Sequence, residues 1–92
     1  MLLDDAKLAV RMKSSAFDTE IKDLLEAARL ELIQAGVSSE IAKKDEDPLI
    51  KRALITYVKA NFGFDNPDYE KFAESFISQK RALSLSGDYN AV

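Results

Sequence analysis

Asp47-Pro48-Leu49-Ile50-Lys51-Arg52-Ala53-Leu54-Ile55-Thr56-Tyr57-Val58-Lys59-Ala60-Asn61-Phe62-Gly63 is the stretch that decides how this chain folds. Aspartate followed by proline is an N-cap and a first helical position, where the missing proline N–H costs nothing. The closing glycine suits the left-handed residue that ends a helix. Between these marks Leu49, Ile50, Ala53, Leu54, Ile55, Tyr57, Val58, Ala60 and Phe62 cover most of the circumference. Only Lys51, Arg52, Thr56 and Lys59 mark a wet side. A helix apolar nearly all round is buried, so 48–62 is the expected central element.

The flanks supply elements to surround it. Gly36 and Gly87 end two further apolar-periodic stretches, and Asn66-Pro67 repeats the cap-then-proline signal. These marks predict helices over 18–35 and 67–86, and Leu3, Ala6 and Val10 place a shorter one at about 3–12. In 18–35, Ile21, Leu24, Leu25, Ala28, Leu32 and Ala35 fall within about 100° at 100° per residue. Leu30 sits opposite that arc, and Ile33 about 100° away from it. In 67–86, Tyr69, Phe72, Ala73, Phe76 and Leu83 form one aromatic-rich stripe. No segment alternates with period two. The fold expected is all-α: a single domain over 1–92, a bundle of about four helices with a flexible C-terminal tail from 87.

Composition removes most chemistry. The 92 residues contain no Cys, His or Trp, which excludes disulfides, thiolate or imidazole metal sites and the usual general base near neutral pH. No catalytic residue, cofactor or metal site is expected. The net charge of −3 has the wrong sign for wrapping nucleic acid. No apolar run reaches the ~18 residues that span a bilayer, and Met1-Leu2-Leu3-Asp4-Asp5 lacks the basic start of a signal peptide. The expected setting is cytoplasmic, with no membrane. Area scaling gives a folded surface of roughly 5,300 Å², hence a thin core. Covering the central helix together with Leu30 and Ile33 requires either the first helix and the 37–46 loop or a neighbouring copy.

Four local patterns invite a functional reading. Gln34-Ala35-Gly36-Val37-Ser38-Ser39-Glu40-Ile41-Ala42 resembles a helix-turn-helix corner, so a small DNA-binding regulator is the alternative function. Its second helix would run into Lys43-Lys44-Asp45-Glu46-Asp47, and the helix before it carries five acids. The clusters Asp45-Glu46-Asp47 and Asp65-Asn66-Pro67-Asp68 lack calcium-loop spacing and read as charge at helix starts. Tyr57, Phe62, Phe64, Tyr69, Phe72 and Phe76 could stack on bases, but their helical spacing favours core packing. Lys51, Arg52 and Lys59 form a basic stripe, either solvated and paired with the acidic 18–35 helix or intermolecular.

The order of features also carries a resemblance. Glu20-Ile21-Lys22-Asp23-Leu24-Leu25-Glu26-Ala27-Ala28-Arg29, then the block from Asp47 to Gly63, then Asn66-Pro67 and a helix ending Leu83-Ser84-Leu85-Ser86, resembles the small head–tail connector (adaptor) proteins of tailed bacteriophages and prophages, across about 2–90. The resemblance implies a non-enzymatic virion protein at the head–tail junction, present in host cytoplasm during assembly. It implies a ring, twelve-fold in the virion, beneath the portal protein. Such a ring extends the channel through which DNA passes and supports the next head–tail joining (stopper) protein. Portal contact by the C-terminal segment would fall here on Leu85, Tyr89 and Val92. A head-to-tail ring needs two different patches on each subunit. Leu30, Ile33, Glu26 and Glu31 are the candidates for one, and Lys51, Arg52 and Lys59 for the other.

Overall fold

The computed structural model describes residues 2–63 and 66–91. Its helices are α1 (Leu2–Ala9), α2 (Asp18–Ala35), α3 (Ser39–Ala42), α4 (Pro48–Asn61) and α5 (Tyr69–Leu85), with a 3₁₀ turn at Ser15–Phe17. The fold is all-α, as the periodicity predicts. Among the described residues the only β pairing is an isolated antiparallel bridge between Val37 and Asn90.

Local chemistry accounts for the helix ends, sometimes against expectation. The Asp47 carboxylate accepts from the Leu49 and Ile50 N–H groups at 2.9 and 3.2 Å, so the predicted start of α4 stands. Gly36 adopts φ +116° and closes α2 in the left-handed conformation expected of it. Helix α1 is shorter than expected. The N–H groups of Arg11 and Met12 donate to Leu8 and Lys7 carbonyls, a helix-terminating pattern in which Arg11 takes φ +58° where glycine is usual. Asn66-Pro67 does not open α5. The Asn66 side chain accepts from Asp68 N–H at 3.1 Å and donates to the Lys59 carbonyl at 2.6 Å, making a turn tied to the end of α4. The helix therefore starts two residues late, at Tyr69. Gly87 is not left-handed, because Ser86 leaves α5 with extended backbone instead.

Helix α4 is the central element, touching α1, α2 and α5. Ile50, Ala53, Leu54 and Val58 are buried and join Ile21, Leu25, Ala28 and Leu32 of α2 and Phe76 and Leu83 of α5. Tyr57 and Phe76 meet edge to face, ring centroids 4.9 Å apart, so at least these aromatics are core rather than platform. Phe64 lies outside the described residues. Ala6 of α1, Val37 and Ala42 complete the cluster, so the first helix and the 37–46 segment do cover part of α4. Thr56 departs from the expected wet side: it is 9% exposed, its hydroxyl donating to the Arg52 carbonyl one turn back. Tyr69 and Ala35, expected in apolar stripes, are exposed.

Helix α2 runs parallel to α5, with Lys80 at 3.0 Å from Glu31 and Gly36 lying against Ser84, whereas α4 runs opposite to both. The result is elongated, 40 × 26 × 18 Å, with a surface of 6084 Å². That exceeds the roughly 5,300 Å² expected of a compact chain of this length. The excess is partly apolar: Leu8, Leu30, Leu49, Ile77 and Leu85 all stand exposed.

Candidate assembly surfaces

On α2, Leu30 is 56% exposed on the outward face, as its position opposite the apolar arc predicts. Ile33 is half-buried and packs against the core, so only its edge is available. Glu26 stays largely exposed beside Leu30, with Arg29 Nε 3.4 Å from its carboxylate. Glu31 is engaged internally by Lys80.

On α4 the basic stripe does not pair with α2. Lys51 reaches back to Asp5 of α1 at 3.1 Å, and Lys59 lies over the Phe72 ring, 5.5 Å from its centroid. Arg52 is exposed, and among the described residues it makes no ion pair. The three cations line one wall of an α4–α5 groove of about 480 Å³. Ile55 and Phe72, both half-buried, supply its apolar surface.

The C-terminal segment is fastened to the body rather than trailing. Ser38 N–H donates to the Tyr89 carbonyl and Ala91 N–H to the Gly36 carbonyl, both at 2.8 Å. The Tyr89 hydroxyl donates to the Asp47 carboxylate, 3.1–3.2 Å from its oxygens. Desolvation, that hydrogen bond and the charges of Asp47 and Asp88 raise the Tyr89 phenol above its ordinary value. Leu85, 76% exposed at the end of α5, is the accessible part of the expected docking segment. Val92 lies outside the described residues.

Arg29 was not singled out by sequence and proves structural. It is 7% exposed, donates from Nη1 to the Ala42 carbonyl at 2.6 Å and forms an ion pair with Asp45 at 2.9 Å. This clamp holds the segment between α2 and α4, and gives Asp45 a role other than charge at a helix start. Asp65 lies outside the described residues. The helix-turn-helix reading fails on α3, whose four residues are too short to lie along a major groove. Among the described residues no group of three or more acidic side chains could hold a metal ion. Among the described residues no helix is long and apolar enough to cross a membrane.

The described chain is an elongated helical body that exposes apolar side chains beside acidic α2 and basic α4 faces. A family model described as phage connector protein matches residues 2–90. The chain belongs to the phage connector protein family. As a connector it is a structural component of the phage particle, associating with other virion proteins. No curated protein and no solved structure matches this connector chain.

Proposed function

We propose that this connector forms a ring beneath the portal at the head–tail junction, extends the channel for DNA and carries the next joining protein. The observation that carries the reading is the family match over nearly the whole chain. The surface supports it, because exposed Leu30, Ile77 and Leu85 leave apolar area for neighbours. The work is adhesive and geometric, with no bond made or broken. A net charge of −3 suits a wall along which DNA slides, since cations there would hold the phosphates.

Native mass spectrometry and sedimentation, with the chain alone and with its portal protein, test the proposal. Ring-sized assemblies in either condition are expected; strict monomers in both overturn it. A free monomer that assembles on the portal still fits, because a weak subunit contact is completed by the template. Within this reading Leu85→Asp weakens portal binding while leaving stability within about 0.5 kcal/mol of wild type, since the side chain is exposed. Unaltered portal binding removes Leu85 from the docking surface.

A further inference from the structure

We propose that the α4–α5 groove seats the outer face of α2 from a second copy of this chain, Leu30 entering between Ile55 and Phe72 while Asp23 and Glu26 meet Arg52 and Lys59. This rests on the ring reading and names the contact that builds the ring.

Both halves of the contact are accessible on one molecule, their internal ties among the described residues limited to the Glu26–Arg29 contact at 3.4 Å and Lys59 over the Phe72 ring. On α2, Asp23, Glu26 and Leu30 fall within about 60° of one another at 100° per residue, opposite the buried edge formed by Ile21, Leu25, Ala28 and Leu32. They present an apolar knob with carboxylates beside it. On α4, Arg52, Ile55 and Lys59 fall within a similar arc of about 60°, opposite the buried Ile50 and Leu54. With Phe72 across the groove they present an apolar patch among polar neighbours, Thr56, Ser75 and Gln79, with a basic wall beside it. Knob and groove therefore match in charge, with Ile55 and Phe72 as the apolar seat for Leu30.

The charges are also disposable to an outside partner. Among the described residues Arg52, Lys59 and Asp23 take part in no ion pair, and Glu26 has only the long contact to Arg29. Lys51, Glu31 and Ile33 drop out of the contact, because Asp5, Lys80 and the core already occupy them. Because the knob and the groove lie on opposite faces of their sheltering core, one subunit gives and receives at once. That is a heterologous contact, which closes into a ring when the rotation allows. A second copy is favoured over nucleic acid because Ile55 and Phe72 give the groove an apolar patch that a phosphate cannot use, and because the complementary acids are on this chain itself.

Charge reversal and its repair test the pairing. Sedimentation and native mass spectrometry are run on the full chain, in the condition where wild type assembles. Arg52→Glu with Lys59→Glu is expected to raise the concentration needed for assembly by at least about tenfold, and Leu30→Glu to do the same, with helicity and melting retained. Adding Asp23→Lys and Glu26→Lys to the Arg52→Glu, Lys59→Glu chain is expected to restore assembly. Rings that form undiminished after reversal overturn the pairing and leave the ring reading standing. A wild type that never assembles, even on the portal, overturns the ring reading itself. Salt-sensitive binding of duplex DNA, lost in the Arg52→Glu, Lys59→Glu chain while assembly persists, overturns the pairing in favour of phosphate.

Discussion

Arg29 illustrates how much one side chain does in a thin core. Its side chain is almost wholly buried while its guanidinium donates to the Ala42 carbonyl and forms an ion pair with Asp45, tying down the path from α3 to α4. Arg29→Met keeps the stem and removes the donors, leaving a carbonyl and a carboxylate without their partner. Urea unfolding is expected to register a loss of about 1–3 kcal/mol, and an unchanged midpoint would mean that water replaces the guanidinium fully. Arg29→Lys is expected to recover only part of the loss, because one ammonium cannot reproduce the planar fork. None of this was legible in the sequence, where Arg29 is a cation on an acidic helix. Its partners lie 13 and 16 residues away, beyond the reach of helical spacing. Thr56 was misplaced for a related reason: its hydroxyl bonds the helix's own backbone, which lets a polar side chain go inside.

At the scale of elements, Asp47 caps α4 and anchors the tail through the same carboxylate. Asp47→Ala is expected to lower stability by about 1–2 kcal/mol through the lost cap, and also to release the tail. Tyr89→Phe removes only the second contact, so chemical denaturation of the two variants separates the roles. The phenol adds a pH dependence whose sign is set by its raised pKa. Its contribution is fully present below the unfolded value of about 10 and is lost as pH rises through the higher folded value. The stability advantage of wild type over Tyr89→Phe is therefore expected to decline as pH rises through the folded value, and a constant difference counts against the anchor. The start of α4 and the end of α2 were readable because Asp47-Pro48 and Gly36 act on their immediate neighbours. The start of α5 was not, since Asn66 spends its side chain on the end of α4 instead of capping the next helix. The fastening of the tail was equally invisible, because Tyr89 and Asp47 are 42 residues apart and meet only once α2, α4 and α5 have packed.

For the molecule as a whole, the helix that sequence places at the centre is at the centre, and its two faces divide the labour. Leu54 is fully buried in the core that α4 shares with α2 and α5, so Leu54→Ala is expected to cost about 2–5 kcal/mol in global unfolding. Leu30→Glu, on the exposed face of α2, is expected to shift unfolding by less than about 0.5 kcal/mol. A comparable loss for both would show that Leu30 belongs to the fold rather than to a contact. The outward position of Leu30 was legible from the wheel of α2 alone; the groove was not, because Ile55 and Phe72 come together only through the packing of α4 on α5. The bridge between the tail and the α2–α3 turn has a practical consequence of its own. The amides of Ser38 and Ala91 are protected by carbonyls across that bridge and by no helix. Their exchange with deuterium therefore times the opening of the tail separately from global unfolding, which the α4 amides report. An assembled subunit whose tail has left the body would lose those two protections and keep the rest.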